Sequence, residues 1–114
     1  MALELGREGA PLAAIVGFHS GLATGETGHA SNIKCPVLVC IGAEDPLIPL
    51  EQRLAFEQEM RSGGVDWTMH VYGGVEHAFT DQRVDAASRR GMRYNAAADG
   101  RSWDAMVDLF ERVF

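Results

Sequence analysis

Two side chains have the types, order and surroundings for acid–base chemistry. Asp45 follows the apolar run 37–41 and Gly42, on a turn stiffened by Pro46 and Pro49. His77 follows a second turn, Gly73-Gly74-Val75-Glu76. A carboxylate that accepts a hydrogen bond from one imidazole nitrogen fixes the tautomer and stabilises the imidazolium. The histidine then takes a proton from a nucleophile and returns it to a leaving group. Acid before histidine, each just past a strand, supplies two members of a nucleophile–acid–histidine triad. An Asp before Pro makes turns readily, so Asp45 alone would carry little. Its pairing in order and topology with His77 turns the reading toward catalysis.

The remaining reactive residues are less suggestive. Glu44 and Glu76 adjoin the pair and read as solvated or supporting groups. His19 and Ser20 lie just past a strand end and are placed to line a substrate pocket. The segment Gly17-Phe-His-Ser-Gly21 puts its serine fourth of five rather than third, and a loop rather than a helix follows, so it is no nucleophile elbow. Cys35 and Cys40 flank one strand about 16 Å apart, too far for a disulfide, and their odd separation sends them to opposite faces. Both read as buried free thiols. His19, His29, His70 and the cysteines show no metal-ligand spacing, so no metal is expected. Gly21, Gly25 and Gly28 match no phosphate-binding pattern, and no cofactor is expected. Arg83, Arg89, Arg90 and Arg93 form a group that reads as solvated charge on a loop, with a carboxylate-binding role as the alternative.

The elements that must position these residues follow from periodicity. Residues 37–41 form an unbroken, largely β-branched apolar run, the pattern of a strand buried on both faces in a parallel sheet. Residues 12–18 form a second such run. Residues 66–72 alternate, with Trp67, Met69 and Val71 on one side, which suits a place nearer the sheet edge. Residues 1–8 read as a helix capped by Gly9. A helix over about 50–61 carries Leu54, Phe56 and Met60 and stops at Gly63-Gly64. The last helix presents Trp103, Met106, Val107, Phe110, Val113 and Phe114 as one stripe. Burying all six would yield roughly 9–18 kcal/mol before entropy, as an upper bound. Helices alternating with strands imply parallel neighbours with right-handed crossovers and an α/β class.

Gly42-Ala-Glu-Asp45-Pro-Leu-Ile-Pro49, then Gly74-Val-Glu-His77-Ala-Phe79, resembles the C-terminal half of a dienelactone hydrolase family α/β-hydrolase. Tyr94-Asn-Ala-Ala-Ala-Asp-Gly-Arg-Ser-Trp103 resembles that family's ending, and residues 1–5 the helix after its nucleophile elbow. The resemblance implies a three-layer, partial α/β-hydrolase fold: a short, mainly parallel sheet flanked by helices. It implies that residues 1–114 are one partial domain without the N-terminal half. The nucleophile, usually a cysteine, would fall a few residues before Met1. It further implies hydrolysis of a small-molecule ester or lactone, with Asp45 and His77 as acid and base and this chain inactive by itself. Dienelactone-cleaving members carry an arginine shortly after the catalytic histidine, where this sequence has Thr80-Asp81, so dienelactone is a poor fit. The alternative is a non-catalytic half-fold acting as an oligomerising or binding module.

Composition bounds these readings. The 114 residues, 46% hydrophobic and 23% charged, are those of a folded chain. A net charge of −6 disfavours nucleic-acid or anionic-membrane partners. No apolar run is long enough to span a bilayer and no signal peptide is legible, so the expected location is cytoplasmic. Residues 12–18 read as an interior strand whose upstream neighbour is missing. A homodimer or larger species is expected through that edge or through helix 1–8.

Overall fold

The computed structural model describes residues 2–23, 29–87 and 90–114. Met1, Gly25, Gly28 and Arg89, which enter the sequence readings above, lie outside the described residues. The chain runs α1 (Ala2–Arg7), β1 (Ile15–Phe18), a 3-10 turn (Ala30–Asn32), β2 (Val37–Gly42), α2 (Leu50–Ser62), β3 (Trp67–Tyr72), α3 (Arg83–Ala87) and α4 (Ala96–Val113). The three strands form one parallel sheet in the order β1-β2-β3, with Ile15 opposite Val37 and Val37 opposite Trp67.

All six residues of β2 are buried, as its apolar run requires of a central strand. Its alternation divides the core. Val37, Val39 and Ile41 face Leu3 of α1 and Phe56 and Met60 of α2. Leu38 and Cys40 face Ala98 and Leu109 of α4, with Val75 and Phe79 from the turn after β3. Three layers result, with α1 and α2 on one side of the sheet and α4 on the other. Cys35 packs with the first cluster and Cys40 with the second, so the two thiols sit on opposite sides as their spacing implies. Arg7 is buried in the first layer.

Several elements depart from the sequence reading. β1 covers four residues, not seven: the Leu12 amide donates to the Ala10 carbonyl, and the ladder begins where the Ile15 amide reaches the Pro36 carbonyl. Its last three residues are half-buried rather than enclosed on both faces. In β3, Trp67 and Met69 pack on the first cluster but Val71 is exposed. In α2, Phe56 and Met60 are buried while Leu54 lies on the solvent side.

The largest correction concerns α4. Its helix begins seven residues before Trp103, where the Asn95 side chain caps the Ala98 amide at 2.9 Å. The docked face is Ala98, Ser102 and Leu109, with Ala105, Met106 and Val113 partly buried beside them. Trp103, Val107, Phe110 and Phe114 face outward; Trp103 is 58% and Phe114 83% exposed. Each outward residue follows a docked position by one or two residues, a turn of 100–200° around the helix. Small side chains let α4 approach the sheet closely, and the bulky stripe is rotated away. Among the described residues, no helix is long and apolar enough to cross a membrane.

Candidate active site

Asp45 and His77 both stand just beyond the carboxyl ends of adjacent parallel strands, β2 and β3, where α/β sheets gather their reactive groups. Three backbone hydrogen bonds carry the chain out of β2: Ala43 N–H to Tyr72 O (2.8 Å), Glu44 N–H to Val75 O (2.9 Å) and Asp45 N–H to Gly42 O (3.2 Å). The two turns are therefore tied to each other before either side chain is considered. Gly42 is needed at this crossing, because a Cβ there would lie 2.3 Å from the Val75 carbonyl oxygen.

The Asp45 side chain is fully buried, and its two oxygens have separate duties. Oδ1 accepts the Leu47 amide at 2.8 Å, closing a local turn across Pro46. Oδ2 lies 2.7 Å from His77 Nδ1. The His77 side chain remains 19% exposed, so the pair runs from a buried acid to an imidazole that reaches solvent. With Nδ1 donating to the carboxylate, Nε2 is the nitrogen left to exchange protons with a substrate or nucleophile.

The backbone of His77 is fixed independently of its ring. Its amide donates to the Gly91 carbonyl (3.0 Å) and its carbonyl accepts from the Arg93 amide (3.2 Å), an isolated parallel bridge with Met92. The Asn95 amide on the Phe79 carbonyl (3.0 Å) anchors the same segment to the start of α4. The long polar stretch after β3 thus folds back beneath the histidine. Gly74 (φ +73°) makes the turn before it, and Ala78 (φ +59°) follows it in a left-handed conformation uncommon for a residue with a Cβ.

His19 and Ser20 part company. The His19 ring lies edge-on to His77, with centroids 5.3 Å apart and planes at 72°, and edge-on to Phe79 at 5.2 Å. Its Nε2 is 2.8 Å from Thr80 Oγ1. Burial holds His19 below the usual histidine range, reinforced by the neighbouring His77 charge and opposed by Asp45 and Asp81. Ser20 instead turns its hydroxyl back to the Phe18 carbonyl at 3.3 Å. Thr80 and Phe79 entered no sequence reading as partners of His19. The pairing spans 61 positions and leaves no local trace.

The other candidates fall outside the pair. Glu76 is engaged by Arg93 at 3.3 Å, and Arg83, at the start of α3, by Asp81 at 3.0 Å, so both arginines are paired with carboxylates of the segment between β3 and α4. Glu44 is exposed. His70 stacks edge-on with Tyr72, 6.3 Å between centroids. Burial pushes both thiols above their ordinary value, the opposite of what an activated nucleophile needs.

Comparison with known proteins bears on the fold and the family. A dienelactone hydrolase-like promiscuous phosphotriesterase from metagenomic libraries superimposes with a TM-score of 0.92 at 46% identity, over 98% of this chain and 47% of that one. An α/β hydrolase enzyme from a Medee basin deep-sea metagenome library shares the fold, with a TM-score of 0.74 at 18% identity over 98% of this chain and 49% of that one. An uncharacterized Caenorhabditis elegans protein is 33% identical over 60 residues, 53% of this chain and 38% of that protein. The chain therefore spans about half the length of the solved chains it matches. The sequence model of the Dienelactone hydrolase family matches residues 1–114, and the chain belongs to that family.

Proposed function

We propose that this chain supplies the acid and the histidine of a nucleophile–acid–histidine triad that hydrolyses carboxylic esters or lactones. The observation that carries the reading is the 2.7 Å contact between Asp45 Oδ2 and His77 Nδ1 at the carboxyl end of the sheet. In this reaction His77 Nε2 takes the proton of a cysteine or serine nucleophile as it attacks the acyl carbon. The same proton then passes to the departing alkoxide, and water hydrolyses the acyl-enzyme by the same route in reverse. Neither buried cysteine of this chain suits the nucleophile's part. By family resemblance the nucleophile belongs to a segment preceding α1, and this chain alone is expected to be inert toward aryl esters.

A chimera tests this. The 46% identity and TM-score of 0.92 justify replacing the corresponding half of the metagenomic phosphotriesterase with residues 1–114. The chimera should hydrolyse p-nitrophenyl acetate, and His77→Ala should abolish turnover. A folded chimera whose activity is indifferent to His77→Ala would refute the reading. Because that relative is a promiscuous phosphotriesterase, a p-nitrophenyl phosphotriester is the second substrate to assay.

The outward apolar stripe of α4 and the position of β1 at the edge of the described sheet support a second reading, a half-fold that assembles with copies of itself. Light scattering distinguishes it: this reading requires a homodimer or larger species, and a monomer at high concentration rules it out.

A further inference from the structure

We propose that His19 is a positioning residue for His77: Thr80 fixes the His19 ring, and that ring holds the His77 imidazole with Nδ1 on Asp45 and Nε2 free. This inference rests on the triad reading for its purpose but not for its geometry.

Three observations converge on it. First, His19 is a non-glycine residue with φ +42°, a left-handed backbone conformation that residues with a Cβ rarely adopt. Strain of this kind persists where the surroundings enforce it, and here they do. The His19 amide donates to the Cys40 carbonyl at 2.9 Å, extending the β1–β2 ladder one residue and fixing where the side chain leaves the sheet. Second, among the described residues the hydrogen-bond and ring partners of the His19 imidazole, His77, Phe79 and Thr80, lie on one short segment. Thr80 Oγ1 engages Nε2 at 2.8 Å, Phe79 meets the ring edge-on at 79°, and His77 meets it at 72°. Phe79 is fully buried, so this side of the cage is anchored in the core. Third, Asp45 restrains His77 through Nδ1 alone, and a single hydrogen bond leaves an imidazole free to rock about it. The edge-on contact with His19 supplies the missing restraint from a different strand.

The electrical surroundings suit the role. His77 and Asp45 face His19 from the turns after β3 and β2, and Asp81 faces it from the loop beyond Thr80. Burial and the His77 charge together disfavour the His19 cation. A neutral His19 adds no repulsion when His77 becomes an imidazolium, whereas a lysine or arginine at position 19 would.

The test uses this chain as it is, with no nucleophile required. Long-range proton–nitrogen NMR of the histidine side chains reports the His77 tautomer, and saturation transfer reports exchange of its Nδ1 proton. The native chain should show His77 in the Nδ1–H form. Thr80→Val and His19→Ala should each give a mixed tautomer pattern and at least tenfold faster Nδ1 proton exchange, and Thr80→Ser should restore the native signature. A native His77 signature in a folded Thr80→Val or His19→Ala variant would overturn the proposal. Thr80→Val changes shape least and decides the matter should His19→Ala unfold the chain. Because hydrolysis by the chimera is a separate readout, failure of this positioning role is distinguishable from failure of the triad.

Discussion

Arg7 Nη2 and Glu59 Oε1 stand 2.7 Å apart, joining the end of α1 to the last turn of α2 across 52 positions. The guanidinium is 1% exposed, and its Nε donates to Glu59 Oε2, also at 2.7 Å, in a two-pronged pair. Its remaining N–H groups reach Glu4 and the Leu22 carbonyl, the latter at 2.9 Å. A planar fork of donors matches these acceptors in a way a point-charged ammonium does not. The contact with Leu22 also holds the chain three residues after His19.

Arg7→Ala should therefore destabilise the chain by about 3–5 kcal/mol, since it leaves a part-buried carboxylate facing a void. Arg7→Lys should recover only part of that. Urea unfolding followed by circular dichroism measures both, and a loss below about 1 kcal/mol for Arg7→Ala would show the cluster to be dispensable.

Asp45→Asn should lower kcat of the chimeric hydrolase on the order of 10³–10⁴-fold with little change in the fold, because an amide cannot enforce the Nδ1–H tautomer. Asp45→Ala should in addition destabilise the isolated chain by about 1–3 kcal/mol, having stripped the Leu47 amide of its acceptor. Steady-state kinetics and thermal melts separate the two effects.

Gly42→Ala places a methyl group 2.3 Å from the Val75 carbonyl oxygen and 2.8 Å from that of Glu76. These are backbone atoms in the turn that presents His77, so they cannot swing aside. A cost of about 1–3 kcal/mol is expected, with the largest amide shift changes in residues 75–79. Shift changes confined to β2 would contradict the crossing described above.

Stability should fall as the solution is acidified below about pH 6.5, in part through His19. Its pKa is depressed from 6.5 in the folded chain. The unfolded chain thus takes up a proton at a pH where the folded chain does not, and folding loses ground as pH drops from 6.5 through the folded value. Above 6.5 both states are neutral at this site and no contribution remains. His19→Gln should flatten this part of the profile, as followed by urea midpoints between pH 7.5 and 4.5.

How much of this was legible beforehand depended on whether the deciding interaction was local. The central strand was, because five consecutive apolar residues ended by a glycine have few other places to go. The Asp45 and His77 turns were too, since Gly42, Pro46 and Pro49 surround the first residue and Gly73 and Gly74 precede the second. The buried face of α4 was not. Ranking side chains by size selects Trp103 and Phe110, whereas close docking on a sheet selects Ala98, Ser102 and Ala105. The truncated β1 escaped notice for a related reason: Leu12 remains apolar and half-buried while its amide bonds to Ala10 instead of a strand. The His19–Thr80 contact depends wholly on two loops meeting in space.

The outward stripe of α4 has a colloidal consequence. Trp103, Val107, Phe110 and Phe114 line the solvent face of α4 on a molecule whose net charge of −6 opposes self-association. That repulsion reaches about 10 Å at 0.1 M salt and about 3 Å at 1 M, while apolar attraction strengthens in sulfate or phosphate. The isolated chain is thus best handled in dilute buffer well above its pI of about 5.1, and ammonium sulfate should bring it out of solution early. A charged residue at Phe114, 83% exposed and at the very end of the helix, is the substitution that would widen its working range with least disturbance to the core.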